Sequence, residues 1–321
     1  MPKAEARKGQ GGIFAPRRIG HVNFWVNGVA DVAAFYRDVV GFDEAYRRES
    51  IRAIFMTNGN TYHDVAFMDL SGPRGAGHVP GLHHFSLELE SEKALVDGIN
   101  ASKEAGFAFD YTISADVTNS AYGTDPDGNR FEVYADVVED WRAARSGAVT
   151  TGGRPWIPGA TEPITESYYP VDPPITRLTG AAFQPKRVSH AVLVTRNHAA
   201  MIEHYTRLAG LRVLAGDPDG SFVVLGGSLG EETLALFRER EGRAPGLHHF
   251  GVELRDDQDL ERGKAALAAR GLQPLFEIDH PTRRCLYLGD PAGQKIQFYV
   301  GRDSDCTSWS ALPEEAALLI A

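Results

Sequence analysis

The chain has 321 residues, of which 43% are apolar and 24% charged, enough for two ordinary domains with sizeable cores. Its formal net charge of −10 argues against a nucleic-acid partner, because phosphates require a basic surface. No apolar run is long enough to span a bilayer, and the first residues lack the apolar stretch of a signal peptide. Two cysteines without CxxC spacing argue against a disulfide framework or a thiolate metal site. We therefore expect a cytoplasmic globular protein that binds neither membranes nor nucleic acids.

The predicted elements begin after a Gly-rich, basic tail of seventeen residues, which we expect to be mobile. Residues 18–138 form a first predicted domain and residues 187–301 a second. Between them, residues 139–186 lose all periodicity and contain seven prolines, which is typical of an extended connector. Residues 302–321 form a C-terminal tail whose end is predicted to be a short amphipathic packing helix.

The two predicted domains repeat each other. His21 and His190 are offset by 169 positions, His84 and His249 by 165, and Glu132 and its counterpart also by 165. A nearly constant offset across three words indicates an internal duplication. The matched words are RIGHVNFWV and RVSHAVLV, GLHHFSLEL and GLHHFGVEL, and DPDGNRFEVYAD and DPAGQKIQFYVG.

Each predicted domain also divides in two. A strand opens it, a helix closed by Gly41 or Gly210 follows, and short strands come next. A second strand and a second helix (92–105 or 258–270) repeat this order and end in a strand after the DPDG or DPAG turn. The pattern predicts an α+β fold of four βαβββ units, two per domain, whose paired sheets form a cup able to hold a ligand.

Strand alternation predicts which polar side chains face the inside of the first cup. His21 shares one face of its strand with Trp25, opposite a run of apolar residues. In GLHHFSLEL the same alternation places His84 on the cup face and His83 on the apolar face, beneath a helix. Glu132 lies opposite the apolar residues of its own strand. We therefore predict His21, His84 and Glu132 as metal ligands.

Two histidines and one carboxylate on neighbouring strands match the 2-His-1-carboxylate facial triad, which binds Fe(II) on one face and leaves the other face open. The words FYRDVVGF, GLHHF and DPDGNRFEVY resemble the vicinal oxygen chelate superfamily. The narrower word YHDVAF (62–67) resembles the type I extradiol ring-cleaving dioxygenases of the catechol 2,3-dioxygenase kind. This resemblance covers residues 18–136 and 187–300, so it implies two domains of the glyoxalase and extradiol dioxygenase fold.

The resemblance also implies a reaction and roles for individual residues. It makes His21, His84 and Glu132 the ligands of Fe(II), with Mn(II) as the alternative, His63 the acid–base group, and Tyr122 a hydrogen-bond partner of the substrate oxygen. The implied reaction is cleavage of a catechol beside its two hydroxyls by dioxygen, giving a hydroxymuconic-semialdehyde-type product, as in aromatic hydrocarbon catabolism. A homo-oligomer is also expected, since multimers are usual in the resembled family.

Two departures from the resembled pattern concern the site. Familiar two-domain members hold iron in the second domain, but here that half offers His190 and His249 with Gln297 in place of the carboxylate. A neutral amide is a poorer ligand for Fe(II), so we predict that the second domain lacks metal. In addition, no substrate-binding histidine occurs between the first domain's ligands and the second domain. Together with Trp25, the candidate substrate contacts are Thr118 and Asn119, or a group from the connector.

Two other functions are compatible with the predicted fold. One is a glyoxalase-like isomerase or epoxide-opening transferase that uses Zn(II), Ni(II) or Mn(II) and does not need His63. The other is a metal-free binding or resistance protein, against which the intact ligand set argues. Arg47, Arg48 and Arg52 are interpreted as an exposed basic edge and not as a carboxylate site, and His78 is assigned to surface or core.

Overall fold

The computed structural model describes residues 12–145, 153–168, 170–302 and 306–321. The first half contains β1 (Arg18–Val26), α1 (Val29–Phe35), β2 (Asp43–Arg48), β3 (Ala53–Thr57), β4 (Val65–Asp69), β5 (Gly81–Glu88), α2 (Glu92–Glu104), β6 (Tyr111–Ser114), β7 (Thr118–Thr124) and β8 (Arg130–Asp136). The connector adds α3 (Trp141–Arg145) and β9 (Arg154–Pro155). The second half contains β10 (Arg187–Thr195), α4 (His198–Glu203), β11 (Arg212–Gly216), β12 (Phe222–Gly226), β13 (Glu232–Arg238), β14 (Gly246–Glu253), α5 (Asp257–Ala269), β15 (Phe276–Asp279), β16 (Arg283–Gly289), β17 (Lys295–Gly301) and α6 (Glu314–Ile320).

These strands form two sheets, one from each half. The first has the order β2-β3-β4-β1-β5-β8-β7-β6-β9 and the second the order β11-β12-β13-β10-β14-β17-β16-β15. Within each βαβββ unit the first strand pairs parallel with the last, as β1 does with β4 and β5 with β8. The two units of a sheet join through antiparallel central strands, β1 with β5 and β10 with β14. The predicted α+β fold of four βαβββ units is confirmed.

The helices begin and end where the sequence supplies capping groups. Ser91 accepts a hydrogen bond from the Ala94 N–H at the start of α2, and Asp256 does the same at the start of α5. α1 continues into a single π turn that ends at Gly41, whose φ of 96° favours glycine. Across the described ranges, every helix is too short or too polar to cross a lipid bilayer.

The two halves pack against each other through the sheet faces opposite the cups. Phe24 of β1 and Phe250 of β14 meet with ring centroids 5.4 Å apart in a core that is continuous between the halves. Two reciprocal hydrogen bonds support this contact. Tyr36 donates to Asp290 (3.0 Å) and Tyr205 donates to Asp125 (2.8 Å). Each acceptor is the aspartate of a DPxG turn, so the repeated turns also anchor one half to the other.

The N-terminal tail is shorter than the seventeen residues predicted. Residues 1–11 lie outside the described residues, but residues 12–17 are packed, which corrects the prediction of a mobile tail for them. The backbone N–H of Ile13 donates to Arg207 O and that of Phe14 donates to Leu208 O, both in the second half. Phe14 is only 3% exposed, so burial of its ring explains why this segment is ordered.

Candidate metal centre and its cup

The three predicted metal ligands come from neighbouring strands of the first sheet. β1 carries His21, β5 carries His84 and β8 carries Glu132, with β5 between the other two. All three are buried, with at most 3% of each residue exposed. His21 Nε2 lies 3.1 Å from His84 Nε2 and 2.9 Å from Glu132 Oε2. His84 Nε2 lies 3.1 Å from the same carboxylate oxygen, so three donor atoms converge on one point.

The spacing of these donor atoms fits one divalent metal ion. Metal–ligand bonds of about 2.1 Å at right angles place neighbouring ligand atoms roughly 3.0 Å apart. The three observed distances are 2.9, 3.1 and 3.1 Å, which match one triangular face of an octahedron. Among the described residues, this is the one group of three His, Cys, Asp or Glu side chains whose donor atoms lie within 4.8 Å of one another. Two imidazoles and a carboxylate suit Fe(II) or Mn(II).

The charge states of the triad also suit a cation. Burial would raise the pKa of Glu132, but the two histidines beside it hold that pKa well below its usual value, so the carboxylate is anionic. Burial lowers the pKa of His84, although Glu132 partly opposes this shift, so the imidazole is neutral at neutral pH. Anionic carboxylate and neutral imidazole are the forms that bind metals.

A cavity of about 320 Å³ opens over the triad, and we call the residues that line it the first cup. Trp25 and Thr118, two of the three predicted substrate contacts, line it, and Tyr46, Phe55 and Tyr62 supply aromatic walls. An apolar, aromatic lining with a few polar groups is typical of a site for a small organic ligand.

Asn119, the third predicted substrate contact, faces away from the first cup. Its Nδ2 donates to Glu92 Oε1 (2.7 Å) on α2. Alternation along β7 turns Thr118, Ser120 and Tyr122 towards the cavity and leaves the residue between the first two on the helix side. The prediction for Asn119 is therefore wrong. Ser120 takes a place on the cup face that the sequence analysis missed, although the same alternation predicts it.

His63 lies at the edge of the triad, in the loop just before β4. Its ring centroid is 3.9 Å from that of His21, and its Nε2 is 3.3 Å from Asn23 Nδ2. Burial, followed by repulsion from the neighbouring His21 and His84, lowers the pKa of His63 well below its usual value. The imidazole is therefore neutral at neutral pH and can accept a proton from a ligand in the cup.

A buried carboxylate organises the loop that carries His63. Thr57 Oγ1 donates to Asp64 Oδ2 (2.7 Å), and Asn60 Nδ2 donates to Asp64 Oδ1 (3.3 Å). Burial raises the pKa of Asp64 to about 6, although these hydrogen bonds oppose the shift. The loop is therefore held by side chains from its own two ends.

The connector fixes the same loop from outside. Asn58 Nδ2 donates to Pro185 O (2.6 Å), and the Thr176 N–H donates to Asn58 O (2.6 Å). Both connector residues come shortly before β10, the first strand of the second half. The position of His63 consequently depends on a segment more than a hundred residues away in sequence, which no local pattern predicts.

Tyr122 lies on β7 directly opposite Glu132 of β8. Its ring centroid is 5.3 Å from that of His84, and the residue lines the first cup. Burial, followed by the negative charge of Glu132, raises the pKa of Tyr122 well above its usual value. The phenol therefore keeps its proton and can donate a hydrogen bond to an oxygen bound at the triad.

His83 does not pack beneath a helix, which corrects the interpretation based on alternation. The pairing of β1 with β5 shifts register here, from Asn23 opposite His84 to Phe24 opposite Leu82. This irregularity leaves His83 without a paired residue on β1, and a β-bulge of this kind redirects a side chain. His83 therefore lines the first cup next to His84.

The first cup contains further groups that the sequence analysis did not assign to it. His78, from the loop between β4 and β5, stacks on Trp25 with ring centroids 4.4 Å apart and 14° between the planes. Arg48, Arg74 and Arg130 also line the cavity. Arg48 was interpreted as part of an exposed basic edge, and its place in the cavity lining corrects that interpretation. The position of Arg130 was predictable, because it lies two residues before the predicted carboxylate ligand on the same strand face.

The corresponding second cup is closed by the chain itself. His249 Nε2 lies 2.7 Å from Ala321 O, and Gln297 Nε2 donates to the same oxygen (3.0 Å). Ala321 follows α6 and is fully buried. His190 and His249 have ring centroids 6.1 Å apart, compared with 5.2 Å for the histidine pair of the first cup. Backbone oxygens of the C-terminal segment thus accept hydrogen bonds from His249, Tyr287 and Gln297.

Comparison with known proteins identifies relatives in sequence and in structure. The model of the Glyoxalase/Bleomycin resistance protein/Dioxygenase superfamily matches residues 18–133 and 187–298. A catechol-2,3-dioxygenase of Bacillus subtilis (strain 168) is 28% identical over 97 residues, covering 29% of this chain and 34% of the relative. Biphenyl-2,3-diol 1,2-dioxygenase 3 of Rhodococcus globerulus is 29% identical over 125 residues, covering 37% of this chain and 63% of the relative. The matches therefore span less than two thirds of either relative.

Solved structures resemble the chain over most of its length. The Mn(II)-bound glyoxalase from Novosphingobium aromaticivorans has a TM-score of 0.63 at 20% identity and covers 89% of this chain and 82% of its own. The 2,3-dioxygenase LapB from Pseudomonas sp. KL28 also has a TM-score of 0.63, at 17% identity, with coverage of 90% and 94%. These similarities show the fold, and the family model matches both halves. The chain therefore belongs to the Glyoxalase/Bleomycin resistance protein/Dioxygenase superfamily.

Proposed function

We propose that the chain catalyses extradiol cleavage of a catechol-type diol by dioxygen, with a metal ion held by His21, His84 and Glu132. The observation that carries the proposal is the arrangement of His63 and Tyr122 around these ligands in one cavity. A neutral imidazole and a protonated phenol beside a three-ligand metal face are the groups that this reaction needs. The distant sequence similarity to two diol dioxygenases supports the same activity.

His21, His84 and Glu132 would hold the metal ion, which when bound would supply Lewis acidity that favours deprotonation of the diol. Fe(II) is the proposed ion because the donor set is the 2-His-1-carboxylate triad, with Mn(II) as the alternative. A ligand set confined to one face leaves the remaining positions open towards the cup. Substrate and dioxygen would thus be oriented before they react.

His63 would act as the acid–base group. Its lowered pKa keeps the imidazole neutral, so that it can accept a proton from a catechol hydroxyl. The proton gained would then be returned to an oxygen atom derived from dioxygen as the O–O bond breaks. The loop bonds of Asp64 hold this imidazole beside His21, as proton transfer over a hydrogen-bond distance requires.

Tyr122 would donate a hydrogen bond to the substrate oxygen, and Trp25 would pack against the ring. Thr118 is the proposed replacement for the histidine that the resembled enzymes use to bind substrate, since its side chain lines the same cavity. Ser120, next along the same strand face, offers a second hydroxyl. Hydroxyls at this position can donate or accept, whichever the bound diol requires.

A glyoxalase-like isomerase is the second candidate. It is supported by the structural similarity to the Mn(II)-bound glyoxalase, whose TM-score equals that of the 2,3-dioxygenase. Such a reaction would use the same metal ligands and a nearby base. It does not explain why a buried, neutral His63 is fixed beside the ligands by a dedicated loop, which is why we rank it second.

The test is anaerobic reconstitution of the full chain with Fe(II), followed by exposure to a panel of catechols in air-saturated buffer. We expect a yellow ring-fission product and the uptake of one dioxygen per diol consumed. Reconstitution with Mn(II) in parallel determines which ion supports turnover. Conversion of a glutathione hemithioacetal without oxygen uptake, and no reaction with any catechol, would establish the isomerase instead.

A further inference from the structure

One wall of the first cup carries two arginines that the proposed reaction does not use. Arg130 opens β8 and lies two residues before Glu132, so their Cα atoms are about 6.7 Å apart along the strand. Arg74 comes from the loop between β4 and β5. Both line the same cavity as His84 and Tyr122.

The charge of the first cup is unbalanced. Its lining contains Arg48, Arg74 and Arg130 but one carboxylate, Glu132, which belongs to the metal triad. In the part of the chain that the structure describes, neither Arg74 nor Arg130 forms an ion pair with a carboxylate. A divalent ion at the triad would add to this positive charge. The imbalance stands out in a chain whose formal net charge is −10.

Neighbouring arginines outside the cup behave differently. Arg47 is paired with Glu44 and lies 3.6 Å from Glu49, and Arg52 donates to Ser71 Oγ (3.0 Å). These two agree with the exposed basic edge predicted from the sequence. Arg74 and Arg130 face the cavity without such a carboxylate partner among the described residues, so an anion from outside is the partner that their position favours.

We infer that the substrate is a catechol that carries an anionic substituent, of the carboxylate class, on the side of the ring that faces Arg130 and Arg74. This inference rests on the proposed function, since it assumes that the diol oxygens bind at the triad. Arg130 lines the same cavity as Glu132, so a substrate bound at the triad can present a substituent to this arginine. A guanidinium can bind a carboxylate through two parallel hydrogen bonds.

The first experiment compares a carboxylated catechol, 3,4-dihydroxyphenylacetate, with the neutral 4-methylcatechol on the Fe(II)-loaded full chain. We expect the ratio of their kcat/KM values to favour the acid and to fall by about 10- to 100-fold in Arg130→Met, as for loss of a charge-assisted hydrogen bond. Arg74→Met should lower the ratio in the same direction. Arg52→Met, an arginine outside the cavity, is the matched control and should leave the ratio unchanged.

Charge reversal at Arg130 distinguishes the loss of a charge interaction from the loss of side-chain packing. Arg130→Glu should raise the kcat/KM ratio of a cationic catechol, 4-(2-aminoethyl)catechol, over the carboxylated one by at least about 100-fold, because attraction and repulsion exchange partners. The preference of the wild-type chain for the acid should also weaken as salt is raised from low to high concentration. An unaltered acid-to-neutral ratio in Arg130→Met and Arg130→Glu would overturn the inference.

A binding measurement separates this inference from the proposed reaction. Calorimetric titration of the full chain with 4-hydroxyphenylacetate and with 4-ethylphenol requires no turnover. If no catechol is cleaved but the acid binds more tightly than the neutral phenol, and Arg130→Met removes the difference, the reaction is wrong and the anion site stands. If catechols are cleaved but the acid has no advantage in either assay, the reaction stands and the anion site is rejected.

Discussion

At the scale of single residues, the two cups differ at one strand position, where the first half has a carboxylate and the second half has an amide. Glu132 and Gln297 occupy equivalent strand positions, Glu132 opposite Tyr122 on β7 and Gln297 opposite Tyr287 on β16. Glu132 Oε2 lies 2.9 and 3.1 Å from the Nε2 atoms of His21 and His84, whereas the amide of Gln297 donates to the Tyr287 hydroxyl (2.8 Å). The amide therefore bonds to Tyr287 and to the backbone at Ala321.

Substitution of these two residues tests where the metal binds. Glu132→Ala should lose the metal and the activity, because the only anionic ligand of the triad is removed. Gln297→Ala should retain most of both. Metal content measured after reconstitution and desalting is the readout, with circular dichroism to confirm that both variants fold. Loss of metal in Gln297→Ala alone would mean that the metal binds in the second half and not in the first.

Replacement of His63 tests its role as an acid–base group. Since this imidazole is not among the three ligands, His63→Phe should bind the metal at the same stoichiometry and still bind catechol. The chemical step should slow by about 10²–10⁴-fold, the usual contribution of a positioned acid–base group. Single-turnover measurements with dioxygen avoid interference from product release. Full single-turnover speed in this variant would leave His63 without a catalytic role.

The residue scale also shows what strand alternation can predict. Alternation selected His84 over His83 as the proposed ligand, and His84 Nε2 lies 3.1 Å from both His21 Nε2 and Glu132 Oε2. It failed for His83 itself because a register shift in the β1–β5 pairing breaks the two-residue period. Strand alternation also places Thr118 on the cup face of β7 and its neighbour Asn119 on the opposite face. No pattern in the sequence indicates where the β-bulge lies, whereas the orientation of Asn119 follows from alternation along β7.

At the scale of elements, the loop before β4 carries both His63, the proposed acid–base group, and Asp64, a buried acid. Asp64 is fully buried and its pKa is raised to about 6 in the folded chain, from an ordinary value of 3.8. Between these two values the folded state keeps the proton that the unfolded state has lost. Stability should therefore fall as pH rises through this window, by up to about 3 kcal/mol in total.

Asp64→Asn should remove this component of the pH dependence. Relative to the wild type, the free energy of unfolding of the variant should increase as the pH is raised from 4 to 7, since the amide does not ionise and Asn60 can rotate to accept a hydrogen bond. Urea unfolding at a series of pH values measures the difference between the two proteins, in which the other titrating groups cancel. A difference independent of pH would show that Asp64 has an ordinary pKa in the folded chain.

At the scale of the whole molecule, two tyrosine–aspartate hydrogen bonds join the halves. Tyr36 and Tyr205 are fully buried, and burial, followed by the nearby aspartate, raises the pKa of each hydroxyl well above its usual value. Tyr36→Phe or Tyr205→Phe should each lower the free energy of unfolding by about 1–3 kcal/mol, because a buried carboxyl loses its donor. Tyr111→Phe, at a tyrosine 40% exposed on β6, is the control and should have little effect on the urea midpoint.

The duplication made most of the architecture predictable, because equal words at nearly equal offsets require equivalent elements in both halves. Contacts between the halves have no such signal. Phe14 packs its ring against Phe109 of the first half while its backbone N–H donates to Leu208 O of the second, so its position depends on both halves. The helix predicted near the C-terminus is present as α6, but its insertion into the second cup depends on the shape of that cup.

The anchoring of the His63 loop by the connector limits how this protein can be recombined. The loop carrying the proposed acid–base group is bonded at Asn58 to Pro185 and Thr176, which lead directly into the second half. A duplicated gene is usually regarded as two exchangeable modules. Here a chimera whose junction falls before residue 174 would keep the metal ligands yet lose the hydrogen bonds that position the His63 loop, whereas a junction at β10 keeps residues 174–186 with the first half. The first sheet and its connector must therefore be transferred together if the position of His63 is to be kept.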